Sequence, residues 1–197
     1  MISVIIPISI DDFNKGNLII QEPFLKRTKD LCTEEIEILP ILNRPSMGRV
    51  KSKNYGASIA HGETLVFLDS DCYPSANFLN EVSRKSKNDY FAGGGVKYVR
   101  LGRCSRGILT GMFFLALYLI LRQITIGAFW IRREIFFEIG GFREKKFDDI
   151  DFALRLKKHA GSTGKKFESI KESFLIWSTR KFDRYGDWHW LKGYHIN

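Results

Sequence analysis

Three consecutive residues, Asp69, Ser70 and Asp71, follow an apolar stretch that ends at Leu68. Two carboxylates two residues apart at the end of a buried strand can face one hard cation and an anionic group that the cation holds. Asp69 and Asp71 are therefore predicted ligands of Mg²⁺ or Mn²⁺, and Ser70 is predicted to contact the bound ligand. Capping of the helix that follows Pro74 is the alternative role for this segment.

A second acidic cluster begins the last clear helical pattern of the chain. Asp148 is predicted to cap this helix, and Asp151 lies three residues later, as in a capping box. Asp151 and Arg155 are also spaced to pair at i and i+4. Asp149 is left without a structural role, which makes it the predicted general base.

Cationic residues cluster at the start of a helix predicted over Arg49 to Ala60. A helix N-terminus with neighbouring cations favours an anionic diphosphate, so Arg49, Lys53 and Asn54 are predicted to bind a nucleotide diphosphate; a solvated basic face is the alternative. His189, in the basic and aromatic tail at residues 178–197, is a further predicted metal ligand.

The elements that must position these groups alternate in type. Apolar strands are predicted at Ile2 to Ile8, Glu35 to Leu42 and Thr64 to Leu68, and the first intervening helix at Asn17 to Leu31. This order predicts an α/β fold with a mostly parallel central sheet flanked by helices. Ligands bind beyond the carboxyl ends of such strands, where the first acidic pair falls. Further elements are predicted at Ala76 to Lys87 (helix), Tyr90 to Val99 and Ile124 to Ile131 (strand-like), Arg133 to Ile139 (helix, ended by Gly140 and Gly141), Asp148 to His159 (helix) and Phe167 to Trp177 (strands).

An apolar run, Ile108 to Leu121, is too short for the roughly 20 residues that span a bilayer, and Arg122 interrupts its extension. It is predicted to form a helix. Three environments remain open for that helix: the protein core, a peripheral contact with a membrane surface, or a homodimer interface.

The composition predicts one globular domain over residues 1–197, because 44% hydrophobic and 14% aromatic residues exclude a disordered chain. Three cysteines are too few for a disulfide-built scaffold, and without paired spacing they do not suggest a structural zinc site, so they are interpreted as fillers. The net charge of +9 favours phosphate-bearing partners. The sequence contains no recognisable secretory signal, so we expect a cytoplasmic location. For a protein that also contacts a membrane, the expected location is the inner face of that membrane.

Five segments of the chain, spread over residues 2–156, resemble the GT-A-fold family 2 glycosyltransferases: SVIIP, KSKNYGASIAHGE, LVFLDSD, GAFWIRREIFFEIGGF and DDIDFALRL. The resemblance implies that Pro7 and Asp11 contact the nucleotide base, and that the first acidic pair is the family's DxD motif. It also implies that Asp149 is the base of an inverting transfer. Asp148 precedes it where the family usually has Glu, and is expected to line the nucleotide-sugar site.

The implied reaction moves a sugar from a nucleotide-diphosphate sugar to a glycan or lipid-linked acceptor, with Mg²⁺ or Mn²⁺. The family usually has an acidic turn after its second strand that reads the base, and Pro40 to Asn43 stands there instead, so the base is not predicted.

Two alternative functions remain. One is a non-catalytic protein that binds anionic lipid or, with less support, nucleic acid; the other is a nucleotidyltransferase, which the lack of a glycine-rich basic loop after Ile8 disfavours.

Overall fold

The computed structural model describes residues 1–10, 31–43 and 47–188, without the side chains of residues 180 and 181. Asp11, His189 and all but the last residue of the predicted helix Asn17 to Leu31 lie outside these ranges. The described part contains nine strands and six helices: β1 Ile2–Ser9, β2 Ile36–Asn43, α1 Gly48–Ile59, β3 Thr64–Phe67, β4 Cys72–Pro74, α2 Phe78–Ser86, β5 Phe91–Gly94, β6 Val96–Leu101, α3 Arg106–Arg122, β7 Phe129–Arg132, α4 Arg133–Glu138, α5 Asp148–Ser162, β8 Lys166–Phe167, β9 Ile170–Trp177 and α6 Arg180–Tyr185.

The main sheet has six strands in the order β2-β1-β3-β7-β5-β8. Strand β1 is parallel to both β2 and β3, while β7 is antiparallel to its neighbours β3 and β5. The mostly parallel α/β arrangement predicted from the strand and helix order is therefore confirmed.

A second sheet of three strands, β4-β9-β6, was not predicted. The prediction treated Tyr90 to Val99 as one strand-like run, whereas the chain passes from β5 in the main sheet to β6 in the second sheet at Gly95. A Cβ atom added at Gly95 would lie 2.7 Å from Thr125 Oγ1. Only glycine therefore permits this close crossing between the sheets.

The core lies on both faces of the main sheet, because β1 is buried on both sides. Successive side chains of a strand point to opposite faces. Accordingly, Ile5 belongs to one apolar cluster, and its neighbours in the chain, Val4 and Ile6, belong to the other. Strand β1 thus holds the two halves of the core together.

Five phenylalanines pack together on the Ile5 side of the sheet, next to the acidic segment that follows β3. The rings of Phe142 and Phe152 are stacked with centroids 4.0 Å apart, and Phe67 at the end of β3 contacts both. This aromatic cluster forms an apolar floor at the carboxyl edge of the sheet; its members are Phe67, Phe129, Phe136, Phe142 and Phe152.

The predicted apolar helix is present as α3, but it is not a core helix. Within it, Gly107 and Ile108 are buried, whereas Ile120 and Leu121 are 71% and 73% exposed. In the part of the chain that the structure describes, no helix is long and apolar enough to cross a membrane.

Candidate active site

The two acidic clusters meet at the carboxyl edge of the main sheet, and residues of α1 join them. Lys53 Nζ lies 3.0 Å from Asp149 Oδ1 and 3.4 Å from Asp69 Oδ1. Asp69 follows the end of β3, and Asp149 lies in the first turn of α5. The structure therefore brings together two carboxylates that are 80 residues apart in the sequence.

Arg49, at the start of α1, forms a second link between the clusters. Its Nη2 atom donates to Asp148 Oδ1 at 2.6 Å, and its Nη1 atom lies 3.4 Å from Asp69 Oδ2. The planar guanidinium can contact two carboxylates at once because its donors are held in a fixed fork. Its side chain is 39% exposed, so a ligand can approach it from solvent.

The predicted capping role of Asp148 is wrong. The N-cap of α5 is Phe147, and no side chain caps this helix by a hydrogen bond. Asp148 lies one position later, in the first turn, and its carboxylate accepts a charge-assisted hydrogen bond from Arg49. The predicted pair of Asp151 and Arg155 is confirmed at 2.7 Å.

Burial and charge together set the protonation of this site. Burial alone would lower the pKa of Lys53, which is 1% exposed, but Asp69 and Asp149 overcome this effect and raise it. Burial raises the pKa of Asp149, while the Lys53 ammonium opposes the shift. The result is a carboxyl group whose pKa is raised by burial and which is held in place by an ammonium group.

A group of side chains that could hold a metal ion follows β3. Donor atoms of Asp69, Asp71 and Cys72 all lie within 4.8 Å of one another. A backbone hydrogen bond from Cys72 N to Asp69 O, 3.0 Å long, closes the turn between them. The two carboxylates suit Mg²⁺ or Mn²⁺, whereas a thiol is a softer ligand.

Cys72 is the residue of this group that the sequence reasoning missed. The sequence pattern assigns no functional role to Cys72, although its position directly after Asp71 is a signal in the sequence. In the structure it is buried at the start of β4, with its Sγ atom 3.9 Å from Asp71 Oδ1.

Asn54 contacts the backbone of the loop after α4. It donates from Nδ2 to Phe142 O and accepts from Phe142 N at Oδ1, both at 2.9 Å. These bonds fix Phe142, whose ring centroid lies 4.7 Å from Lys53 Nζ. A Cβ atom at Gly141 would lie 2.7 Å from Asn54 Oδ1, and Gly141 has a φ of +60°, so both space and backbone require glycine. The predicted nucleotide contact of Asn54 stays a prediction.

The remaining predicted contacts lie along the same edge. Pro7 is buried in β1, opposite Ile41 of β2. Strand β3 pairs with β1 only as far as Ile5, so β3 does not pair with Pro7, which suits a residue without an N–H group. Ser70 is half-buried between the two carboxylates.

No family model matches the sequence, and no curated protein matches it. The fold is shared with solved structures. A mannosyltransferase from Pyrobaculum calidifontis in complex with GDP-Man and Mn²⁺ has a TM-score of 0.59 at 14% identity, over 89% of this chain and 56% of that chain.

Two further structures are similar. A variant of Drosophila β-1,4-galactosyltransferase 7, in complex with manganese, UDP-Gal and xylobiose, has a TM-score of 0.57 at 14% identity, over 86% of this chain and 63% of that chain. GalNAc-T7 with UDP, GalNAc and Mn²⁺ has a TM-score of 0.52 at 14% identity, over 90% of this chain and 44% of that chain. The chain spans less than two thirds of each of these structures. The likeness shows that the fold is of the GT-A type.

Proposed function

We propose that this chain is a metal-dependent, inverting glycosyltransferase, similar to family 2, that transfers a sugar from a nucleotide-diphosphate sugar to a glycan or lipid-linked acceptor. The observation that carries the proposal is the pair of ion contacts by which Lys53 joins Asp69 to Asp149. These contacts put a predicted metal ligand and a predicted base in one site at the ligand-binding edge of the sheet. The similar structures, which hold Mn²⁺ with UDP or GDP sugars, support the same reaction class.

Asp69 and Asp71 would hold Mg²⁺ or Mn²⁺, and the cation would neutralise charge on the diphosphate as it leaves. Arg49 lies beside Asp69 and is exposed to solvent, so its guanidinium can contact the same phosphates. Further contacts are proposed on the pattern of the sequence: Pro7 and Asp11 to the base, Ser70, Asn54 and Asp148 to the nucleotide sugar, and His189 to the metal.

Asp149 is proposed to accept the proton of the acceptor hydroxyl. The hydroxyl oxygen then forms a bond to the anomeric carbon on the face opposite the diphosphate, the bond from that carbon to the diphosphate oxygen breaks, and the configuration inverts. Lys53 holds the Asp149 carboxylate in place through its 3.0 Å contact. Arg49 stabilises the charge that develops on the departing diphosphate.

Calorimetric titration of UDP and GDP, with Mn²⁺ or with EDTA, tests the proposal. At least one of the two nucleotides is expected to bind only with the metal, and Asp71→Asn is expected to weaken that binding. Asp89→Asn is the matched control, because Asp89 lines a cavity with Met1 and Thr64 at the opposite ends of β1 and β3. Binding that is equally strong in EDTA, or equally strong in Asp71→Asn, would contradict the proposal.

A further inference from the structure

Helix α3 exposes apolar side chains on several sides. Six of its large residues, here called the α3 apolar surface, are 45% to 73% exposed: Leu109, Phe113, Phe114, Leu117, Ile120 and Leu121. The helix has 17 residues and is therefore about 25 Å long. Soluble monomers rarely expose a continuous apolar surface of this kind, so it indicates contact with a partner.

Both ends of α3 are fixed, so its exposure is not the result of a frayed helix. At the start, Ser105 Oγ accepts a hydrogen bond from Ile108 N. At the end, Ile124 N donates to Leu119 O. Lys157 of α5 also donates to the carbonyl of Arg122 at 2.7 Å. The helix is thus held against the protein at both ends, and its apolar side chains are exposed on an ordered helix.

The charge around α3 is positive. Residues 97–122, which include the helix, contain five Lys or Arg and no Asp or Glu. Arg106 and Arg122 are the first and last residues of the helix, and both are exposed. Of the other cations, Arg103 is paired with Asp183 and Asp187. A second copy would bring like charges together at both ends of the helix, whereas anionic phosphates complement them.

Amphipathic aromatic residues lie near both ends of the helix. Trp188 is 49% exposed and packs next to the first turn, where a Cβ atom at Gly107 would lie 3.0 Å from its ring. Tyr118 is 40% exposed, and the Arg122 guanidinium lies 5.9 Å from its ring centroid. Tryptophan and tyrosine favour the headgroup level of a bilayer because one end of each side chain is apolar and the other is polar.

We infer that the α3 apolar surface binds an anionic membrane surface. The helix lies in the plane of the headgroups, with Phe113 and Ile120 among the upper acyl chains and Arg106 and Arg122 at the lipid phosphates. This inference does not depend on the proposed function, since it concerns a surface and not the reaction.

Vesicle flotation tests the inference, using phosphatidylcholine alone and phosphatidylcholine mixed with phosphatidylglycerol. The protein is expected to float with the anionic vesicles, and Phe113→Glu is expected to abolish flotation. Phe137→Glu is the matched control, because Phe137 is 48% exposed but belongs to α4. Arg106→Gln combined with Arg122→Gln is expected to weaken binding about 30-fold, as expected for two cations near an anionic surface.

Thermal unfolding checks that each variant is folded. All variants are expected to be folded, because the substituted side chains are exposed. The inference is overturned if the wild-type protein ignores anionic vesicles, or if Phe113→Glu and Phe137→Glu float equally well. It is also overturned if sedimentation shows a dimer that Phe113→Glu separates in the absence of lipid, because the surface then binds a second copy.

Discussion

Lys53 carries its charge in a buried position, between two carboxylates and an aromatic ring. Its side chain is 1% exposed, and its ammonium lies over the Phe142 ring. A buried charge is tolerated only when it is paired, and removing one partner of such a pair destabilises the protein. Its partners, Asp69 and Asp149, come from different acidic clusters, so Lys53 joins the two clusters through a buried charge.

Asp149→Asn is expected to lower turnover about 100-fold to 10,000-fold, because the amide keeps the shape of the side chain but cannot accept the proton. It should also lower the melting temperature, since Lys53 loses a charged partner. Turnover, nucleotide affinity and melting temperature are measured together. Asp151→Asn is the control: it lies on the same helix but pairs with Lys145 and Arg155, so it should lower stability without lowering turnover.

The double variant Lys53→Met with Asp149→Asn separates the loss of stability from the loss of turnover. Removing both charges should recover part of the stability lost in Asp149→Asn, because no buried ammonium is left with a missing partner. Turnover should stay low. Near wild-type turnover in Asp149→Asn would show that another group is the base.

At the scale of elements, the sequence predicted β1, β2, α1 and β3 to within one or two residues. Each of these strands is an apolar run, and the signal is local to the chain. The three-stranded sheet could not be predicted, because β4 has only three residues and its partner β9 lies far away in the sequence. Pairing between distant short strands leaves no periodic pattern in any one of them.

The candidate site shows the same difference between signals that are local in the sequence and contacts between distant residues. The topology of the strands predicted that Asp69 and Asp71 would lie at the carboxyl edge of the sheet. The role of Asp148 was mispredicted because it depends on Arg49, which is 99 residues away. A local spacing rule favoured a helix cap, and a partner from another element determined the outcome.

Glu37 of β2 links β2 to β1 and to the segment before β3. Its carboxylate accepts hydrogen bonds from Ser3 Oγ at 2.5 Å and from His61 N at 3.0 Å. Burial alone would raise the pKa of Glu37, but these bonds lower it to about 2, from an ordinary value of 4.5. Since the folded-state pKa is the lower one, this stabilisation is complete above pH 4.5 and is lost as the pH falls toward 2.

Glu37→Gln should therefore lower the free energy of unfolding most above pH 4.5, and the difference from wild type should shrink toward pH 2. Urea unfolding at a series of pH values measures it. Glu35→Gln is the control, because Glu35 is exposed and precedes the same strand. A difference between wild type and Glu37→Gln that is constant with pH would contradict the prediction.

At the scale of the whole molecule, the net charge of +9 favours phosphate ligands but does not select one. A nucleic-acid-binding protein and a nucleotide-sugar enzyme would both carry this charge. They differ in whether binding needs the carboxylates Asp69 and Asp71, which would repel a polyanion in the absence of a divalent cation. That the chain forms one domain over residues 1–197 stays a prediction.

Thermal melting with and without a divalent cation distinguishes a nucleotide-sugar enzyme from a nucleic-acid-binding protein. A ligand that binds only the folded state at about 100 times its Kd adds about 2.7 kcal/mol of stability. For a chain of this size each kcal/mol raises the melting temperature by about 2 to 4 °C, so Mn²⁺ with UDP or GDP should raise it by about 5 to 11 °C. EDTA should abolish the shift, because the bridge between the carboxylates and the diphosphate is then missing. A single-stranded oligonucleotide should give no comparable shift; an equal shift with the oligonucleotide in EDTA would instead favour a nucleic-acid-binding protein.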